Sequence, residues 1–333
     1  MKKKDTLKKV VTFFVLLALV LVIIYSGFQI LESTVFFAED EADGGVRKTI
    51  VRNDVEYFPR QDITVMMVLG IDQFGPVESS NYYRNTGSAD TIMLLVFDDS
   101  SKECTVLNIN RDTMLVMDVL GVRGEYAGTT YGHVALAHTY GTGLEDSCEN
   151  VKNTLMNFLH GMSVDYYIAM NMDAIPIFND AVGGVAVTVK DDFSAVNPTI
   201  TKGEMKLMGN QVVDFLRARK DVGDQLNVTR MERQKEYIGG FLHALQNRDK
   251  ENLKFVVDLY EDVSPYVITD CSVETMSNLL DRYSDYTIAE VIIPEGENKI
   301  VGENYEFHVD EEKLDEMIVR IFYRPKSWLD FLN

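Results

Sequence analysis

Apolar residues along this chain fall into short, dense blocks separated by polar turns. Ile63 to Leu69 (ITVMMVL), Thr91 to Phe97 (TIMLLVF) and Thr105 to Ile109 are apolar and partly β-branched, the pattern of strands covered on both faces. Helical patterning follows over 133–140 and 145–160, then a strand at Val164 to Met170, a helix over 173–181, and a strand at Val185 to Val189 behind Gly183 and Gly184. Further helices are expected over 209–219, 228–246, 249–260, 272–283 and 310–323, with strands over 287–293 and 299–308. Such alternation predicts an α/β fold, a central mixed sheet with helices on both faces. No linker divides 61–325, which is expected as one domain.

The N-terminus carries a different pattern. Lys2, Lys3, Lys4, Lys8 and Lys9 precede an apolar run from Val10 to Ile30, broken only by Thr12, Ser26, Gly27 and Gln29. At about 1.5 Å rise per residue the run spans a hydrocarbon core of roughly 30 Å. Lysines before it and Glu32, Glu39, Asp40, Glu41 and Asp43 after it predict a cytoplasmic tail (1–9), a single transmembrane signal anchor (10–30), a polar stalk (31–60) and a body outside the cell. A cleaved signal peptide would show a shorter apolar stretch and an A-x-A-like site, and neither is evident. The tail is too short for a DNA-binding domain.

Without the first thirty residues, which hold five lysines and one aspartate, 27 basic side chains face 51 acidic ones, a formal charge of −24. That field disfavours nucleic acid or any polyanion spread over a broad surface, so an anionic ligand must meet a local basic cluster. The three cysteines, Cys104, Cys148 and Cys271, lack metal-type spacing; one disulfide is compatible with them, without selecting the pair. Nucleophile-elbow, Walker, H-E-x-x-H, C-x-x-C and G-x-G-x-x-G motifs are all missing. His133 and His138, five apart, do not share a helix face and read as structural.

Charged residues stand where apolar runs stop. Ile63 to Leu69 ends in Gly70-Ile71-Asp72, and Ser88-Ala89-Asp90 introduces the next strand. At strand ends of a parallel sheet two such carboxylates would share a hard cation; singly, each also suits a turn or cap. The third strand runs into Asn110-Arg111-Asp112-Thr113, where Arg111 needs either Asp112 or a phosphate as partner. Residues 211–234 are the densest stretch. Arg217 and Arg219 face one site only if their helix ends there, as Lys220 and Gly223 suggest. Arg230, Arg233 and Gln234, at i, i+3 and i+4, share one face of the next helix, whose other face carries Ile238, Phe241, Leu242 and Leu245. A solvated charged face is the plain alternative, but arginine throughout favours bidentate contacts to phosphate.

In this order these pieces resemble the LytR-CpsA-Psr family of cell-wall glycopolymer ligases: LGID, SADTIMLL, NINRDT, VDYYIAMNMDAIPIFNDAVGGVAVTV, the RAR pair, TRMERQ and VITDCSVETM, over roughly 61–323. The resemblance implies an α-β-α layered fold with a groove for a polyprenyl chain. It also implies phosphotransfer of a teichoic acid, capsular or other wall glycopolymer from an undecaprenyl-diphosphate carrier to peptidoglycan at a Gram-positive-type cell surface. Asp72 and Asp90 would hold magnesium or manganese. Arg111, Arg217, Arg219, Arg230 and Gln234 would grip the diphosphate, with Arg233 behind them. Many members carry aspartate three residues before the first arginine of R-x-x-R-Q; here that residue is Asn227, which cannot act as a base. Asp224, Asp90, Asp112 or metal-bound solvent remain open for that role.

Phosphoryl transfer asks mainly for alignment and charge stabilisation, which matches the lack of an activated Ser, Cys or His. The expected reaction is attack by a sugar hydroxyl on the sugar-proximal phosphorus, with lipid phosphate leaving. Two alternatives stand beside it: a polyprenyl-diphosphate phosphohydrolase, and a non-catalytic envelope regulator that binds prenyl lipid.

Overall fold

A computed structural model describes residues 49–326, apart from Asn53, Asp54, 82–84, Val122, Ser284, Asp285, Glu303 and most of 219–260. The expected anchor at 10–30 lies outside the described residues, and among those described no helix is long and apolar enough to cross a membrane. The architecture is mixed α/β. Its central sheet has the order β11-β8-β3-β4-β5-β12, built from Val267–Thr269 (β11), Tyr166–Asn171 (β8), Ile63–Ile71 (β3), Ala89–Asp98 (β4), Glu103–Ile109 (β5) and Thr287–Ile292 (β12).

Pairing in this sheet differs from a parallel arrangement of successive strands. β4 and β5 are antiparallel, in register from Ile92↔Ile109 to Asp98↔Glu103, and β11 runs antiparallel to β8; β12 pairs parallel to β5. The reason is length: the few residues between β4 and β5 cannot hold the crossover that a parallel pair needs. Instead Asp98 accepts from the Ser100 amide and hydroxyl, and Lys102 takes a left-handed φ of 59° to close the turn.

The chain divides into two compact units that interleave in sequence. The first comprises Leu69–Glu78 and Ile168–Asp285 in its described part. Here helix α2 (Ala174–Ala181), the hairpin β9 (Val185–Val189) and β10 (Gly203–Leu207), and helix α3 (Gln211–Arg217) close over Val185, Val187, Phe193, Val212 and Phe215. In β9, Val185, Val187 and Val189 are buried while Ala186 and Thr188 face out, the alternation of a half-covered antiparallel strand. Phe193 stacks on Phe215 at 5.6 Å. Helix α4 (Val273–Tyr283) completes the described helices of this unit's C-terminal part.

The second unit takes Ile30–Val68, Ser79–Tyr167 and Tyr286–Asn333, again in its described part. Ile92 to Phe97, Val106 and Leu107 are buried, and a 3-10 helix at Val134–Thr139 lies against β4 and against helix α1 (Glu145–Phe158). Three features here are absent from the apolar pattern. Met114–Leu120 (β6) and Tyr126–His133 (β7) form a hairpin; the strand expected over 299–308 is a hairpin of Gly296–Val301 (β13) and Asn304–Val309 (β14). Within the stretch expected as a stalk, Ile50–Arg52 (β1) and Val55–Pro59 (β2) are strands, and Tyr323–Pro325 (β15) pairs with β2 behind helix α5 (Glu311–Phe322). Asp310 caps α5 by accepting from the Lys313 amide at 3.1 Å. All three cysteines are free thiols.

Candidate functional site

In the first unit, β3 runs out at Ile71 and the chain turns at once: the Gln73 amide donates to the Ile71 carbonyl. Gly75, with φ 87°, donates to the Asp173 carboxylate at 2.6 Å, and the Asn171 side-chain amide donates to the Gly75 carbonyl. The turn therefore presents Asp72 at the strand end with its backbone pinned on both sides. The Arg217 guanidinium donates to Asp72 Oδ1 at 2.9 Å and lies 5.3 Å from the centre of the Phe74 ring. Each partner of this pair keeps about a third of its side chain exposed (33% and 34%), so donors of Arg217 remain open to an anion. Phe74, itself 53% exposed, is a site residue that sequence reasoning passed over; its only signal was an aromatic in a polar turn.

Helix α3 stops where the RAR pair requires. Arg217 is its last residue, and Ala218 adopts an extended ψ of 125°. Arg233 provides the reason. Its Nε donates to the Phe215 carbonyl at 3.2 Å, Nη2 donates to the Ala218 carbonyl, and Nη1 donates to Asp191 at 2.9 Å, with the guanidinium 5.2 Å from the Phe193 ring. The side chain is 7% exposed. Arg233 thus caps the helix that carries Arg217, with Nε, Nη1 and Nη2 each bonded inside the protein. Tyr237, Gly240 and Phe241, at i+4, i+7 and i+8 from it, share its helix face and are packed, Gly240 so closely that a Cβ there would lie 2.5 Å from the Ala186 carbonyl oxygen. Arg219, Asp224, Asn227, Arg230 and Gln234 lie outside the described residues.

In the second unit the Asn110-Arg111-Asp112-Thr113 turn is written by its own side chains. Asn110 Oδ1 accepts from the Asp112 amide at 3.0 Å, and the Thr113 hydroxyl donates to the Asn110 carbonyl at 2.6 Å. Arg111 leaves this turn toward the start of β4, where Nη1 meets Asp90 Oδ2 at 2.5 Å; Nε lies 3.5 Å from Asp112. Ser88 donates to the other oxygen of Asp90 at 2.7 Å. Arg111 is 33% exposed. Burial pushes the Asp112 carboxyl above its ordinary value, against the charges of Arg111 and His133.

A divalent cation is implied by the family resemblance. Among the described residues no three His, Cys, Asp or Glu side chains gather into a metal cluster, so a cage made wholly of such side chains is not what this donor set offers. Asp72 and Asp90 supply carboxylate oxygens at strand ends. That chemistry suits a hard cation that takes one or two carboxylates and completes its shell with substrate phosphate oxygens and water.

The fold is that of a group of solved α/β proteins. A protein from Streptococcus agalactiae (gbs0355) aligns with a TM-score of 0.58 at 21% identity, covering 78% of this chain and 86% of that one. TagV of Bacillus subtilis aligns with a TM-score of 0.54 at 21% identity, over 79% of this chain and 96% of that one. The LytR_cpsA_psr family model matches residues 32–321, and the chain belongs to that family. A curated relative, the polyisoprenyl-teichoic acid–peptidoglycan teichoic acid transferase TagU of Bacillus subtilis strain 168, is 24% identical over 262 residues, covering 78% of this chain and 76% of the relative.

Proposed function

We propose that the protein is a phosphotransferase that moves a teichoic acid or another wall glycopolymer from an undecaprenyl-diphosphate carrier to peptidoglycan. One observation supports this most directly. In each unit a strand-end aspartate holds an arginine that remains about one-third exposed, Asp72 with Arg217 and Asp90 with Arg111, and so leaves guanidinium donors for phosphate oxygens. The name of the TagU relative points the same way.

In this reading Arg111 and Arg217 take the diphosphate, joined by Arg219, Arg230 and Gln234, while Arg233 acts from behind by fixing Arg217. Asp72 and Asp90 would hold magnesium or manganese, which when bound supplies positive charge to the phosphate oxygens. The acceptor hydroxyl oxygen bonds to the sugar-proximal phosphorus as the bond from that phosphorus to the bridging oxygen breaks, and lipid phosphate leaves with the electron pair. Among the described carboxylates we assign the hydroxyl proton to Asp112. Asp90 is taken in this reading as a metal ligand, whereas burial raises the proton affinity of Asp112 above that of an ordinary aspartate. The run at 10–30 would anchor the chain in the cell membrane with the body outside, near a lipid-borne donor.

The test is reconstitution of the full chain in detergent with an undecaprenyl-diphosphate-linked polymer, peptidoglycan and magnesium, following polymer covalently attached to peptidoglycan. Attachment that stops on chelation and falls about a hundredfold or more in Arg111→Ala supports the reading. Hydrolysed polymer alone, with acceptor present, would make the protein a phosphohydrolase. Attachment unchanged in Arg111→Ala while lipid binding weakens would make it a regulator.

A further inference from the structure

The 3-10 helix Val134–Thr139 meets the main chain of Arg111 at one end and that of Gly87, three residues before Asp90, at the other. At its start the Ala135 amide donates to the Arg111 carbonyl at 3.1 Å, and the Val134 amide donates to that of Thr113 at 2.8 Å. At its end His138 Nδ1 lies 2.7 Å from the Gly87 carbonyl, three residues before Asp90. The helix is itself clamped. Asn85 donates to the His138 carbonyl at 2.7 Å, Asn150 donates to the Ala137 carbonyl at 2.8 Å, and the Gly87 amide returns a bond to Asn85 Oδ1 at 2.8 Å. Val134, Ala135 and Ala137 are all buried.

His138 is wholly buried, and burial holds its imidazole down to about 4, so the ring is neutral near pH 7. A carbonyl can only accept; the proton therefore sits on Nδ1, and the buried Nε2 has no hydrogen-bond partner among the described residues. Among the described residues, the polar contact its ring makes is to Gly87, on the approach to Asp90.

We propose that His138 is a positioning residue: together with the 3-10 helix it sets the separation between Arg111 and Asp90 by bracing the Arg111 carbonyl at one end and the Gly87 carbonyl at the other. The catalytic consequence rests on the phosphotransferase reading; the effect on anion binding does not.

His138→Asn keeps a donor near the Nδ1 position, whereas His138→Gln carries its amide further out and loses the bond to Gly87. The full chain is assayed for kcat and KM with the lipid-linked donor and, separately, for binding of inorganic pyrophosphate by calorimetry, each alone and combined with Arg111→Ala. The glutamine variant should lose about tenfold or more in kcat and about tenfold in pyrophosphate affinity, as small misplacements do. The asparagine variant should recover most of it, and neither should add to the loss in Arg111→Ala. Losses that multiply with Arg111→Ala, or a glutamine variant equal to wild type, overturn the proposal. If glutamine prevents folding, His138→Leu takes its place in the same cycle. A wild-type protein without transfer activity refutes the phosphotransferase reading alone, and the pyrophosphate cycle still decides the role of His138.

Discussion

Replacing Arg233 with methionine removes a guanidinium that is 7% exposed and paired with Asp191, itself 15% exposed. Three acceptors lose their donors together: the Asp191 carboxylate and the carbonyls of Phe215 and Ala218. Breaking a buried ion pair from one side costs about 3–5 kcal/mol, because the abandoned charge remains buried. Residual exposure of Asp191 argues for the lower part of that range, and the methionine side chain regains some contact with Phe193. We therefore expect Arg233→Met to lose about 3 kcal/mol. Most of that loss is the stranded carboxylate, so Asp191→Asn in the same chain should restore about 1 kcal/mol or more. Urea unfolding followed by circular dichroism measures both values from midpoint and slope. A ligand-facing arginine would behave differently: its removal would leave stability within about 0.5 kcal/mol and weaken pyrophosphate binding directly. That result, or a double variant no more stable than the single, would refute the capping role.

The remaining expectations concern charge, acid and backbone. Arg217→Ala should lower kcat/KM for the lipid-linked donor by about a hundredfold, and Arg217→Lys should recover little of it, since a point charge cannot reproduce the planar fork that meets Asp72 and phosphate together; full recovery in the lysine variant would argue for charge alone. His138, held at about 4 when folded against 6.5 ordinarily, binds a proton in the unfolded chain across that window and not in the folded one. Stability should therefore fall as pH drops from 7 to 4, by about 3 kcal/mol from this group. Unfolding curves for wild type and His138→Asn at both pH values check the sign, and equal losses in the two proteins would contradict it. Gly183 and Gly184 have φ near 83° and 84°, but only at Gly184 would a Cβ meet the Leu207 carbonyl oxygen, at 2.8 Å. Alanine at 183 should cost about 1 kcal/mol through φ alone, and alanine at 184 clearly more; the two melting temperatures compare them.

Local order was readable wherever burial is periodic. The apolar blocks of β3, β4 and β5, the alternation of β9 and the stripes of α1 and α5 announce themselves because each depends on neighbours two to four residues away. The hairpin β6–β7 did not: YAGTTYGH is small and polar, with Tyr126 and Tyr131 turned outward, and its strand character comes from pairing with β6. Strands β1 and β2 escaped for a related reason. β2 is completed by Tyr323–Pro325, more than 260 residues further on, and no local window contains that partner.

The candidate site divides in the same way. Its residue types and their setting at the ends of apolar runs follow from the amino-acid order alone, because an apolar strand that stops in Asp72 or Arg111 must deliver that charge to its end. Which arginine meets which carboxylate does not follow. Arg217 reaches Asp72 across 145 residues and Arg233 reaches Asp191 across 42. Helix arithmetic put Arg233 on one face with Arg230 and Gln234, and the family resemblance put it behind the gripping residues; the same spacing also aligns it with Tyr237, Gly240 and Phe241, and a periodicity names a face without saying what lies opposite. Only the folded chain decides that, because a guanidinium goes wherever acceptors converge out of water. For Arg233 those acceptors belong to the protein, while Arg217 and Arg111 keep donors facing outward.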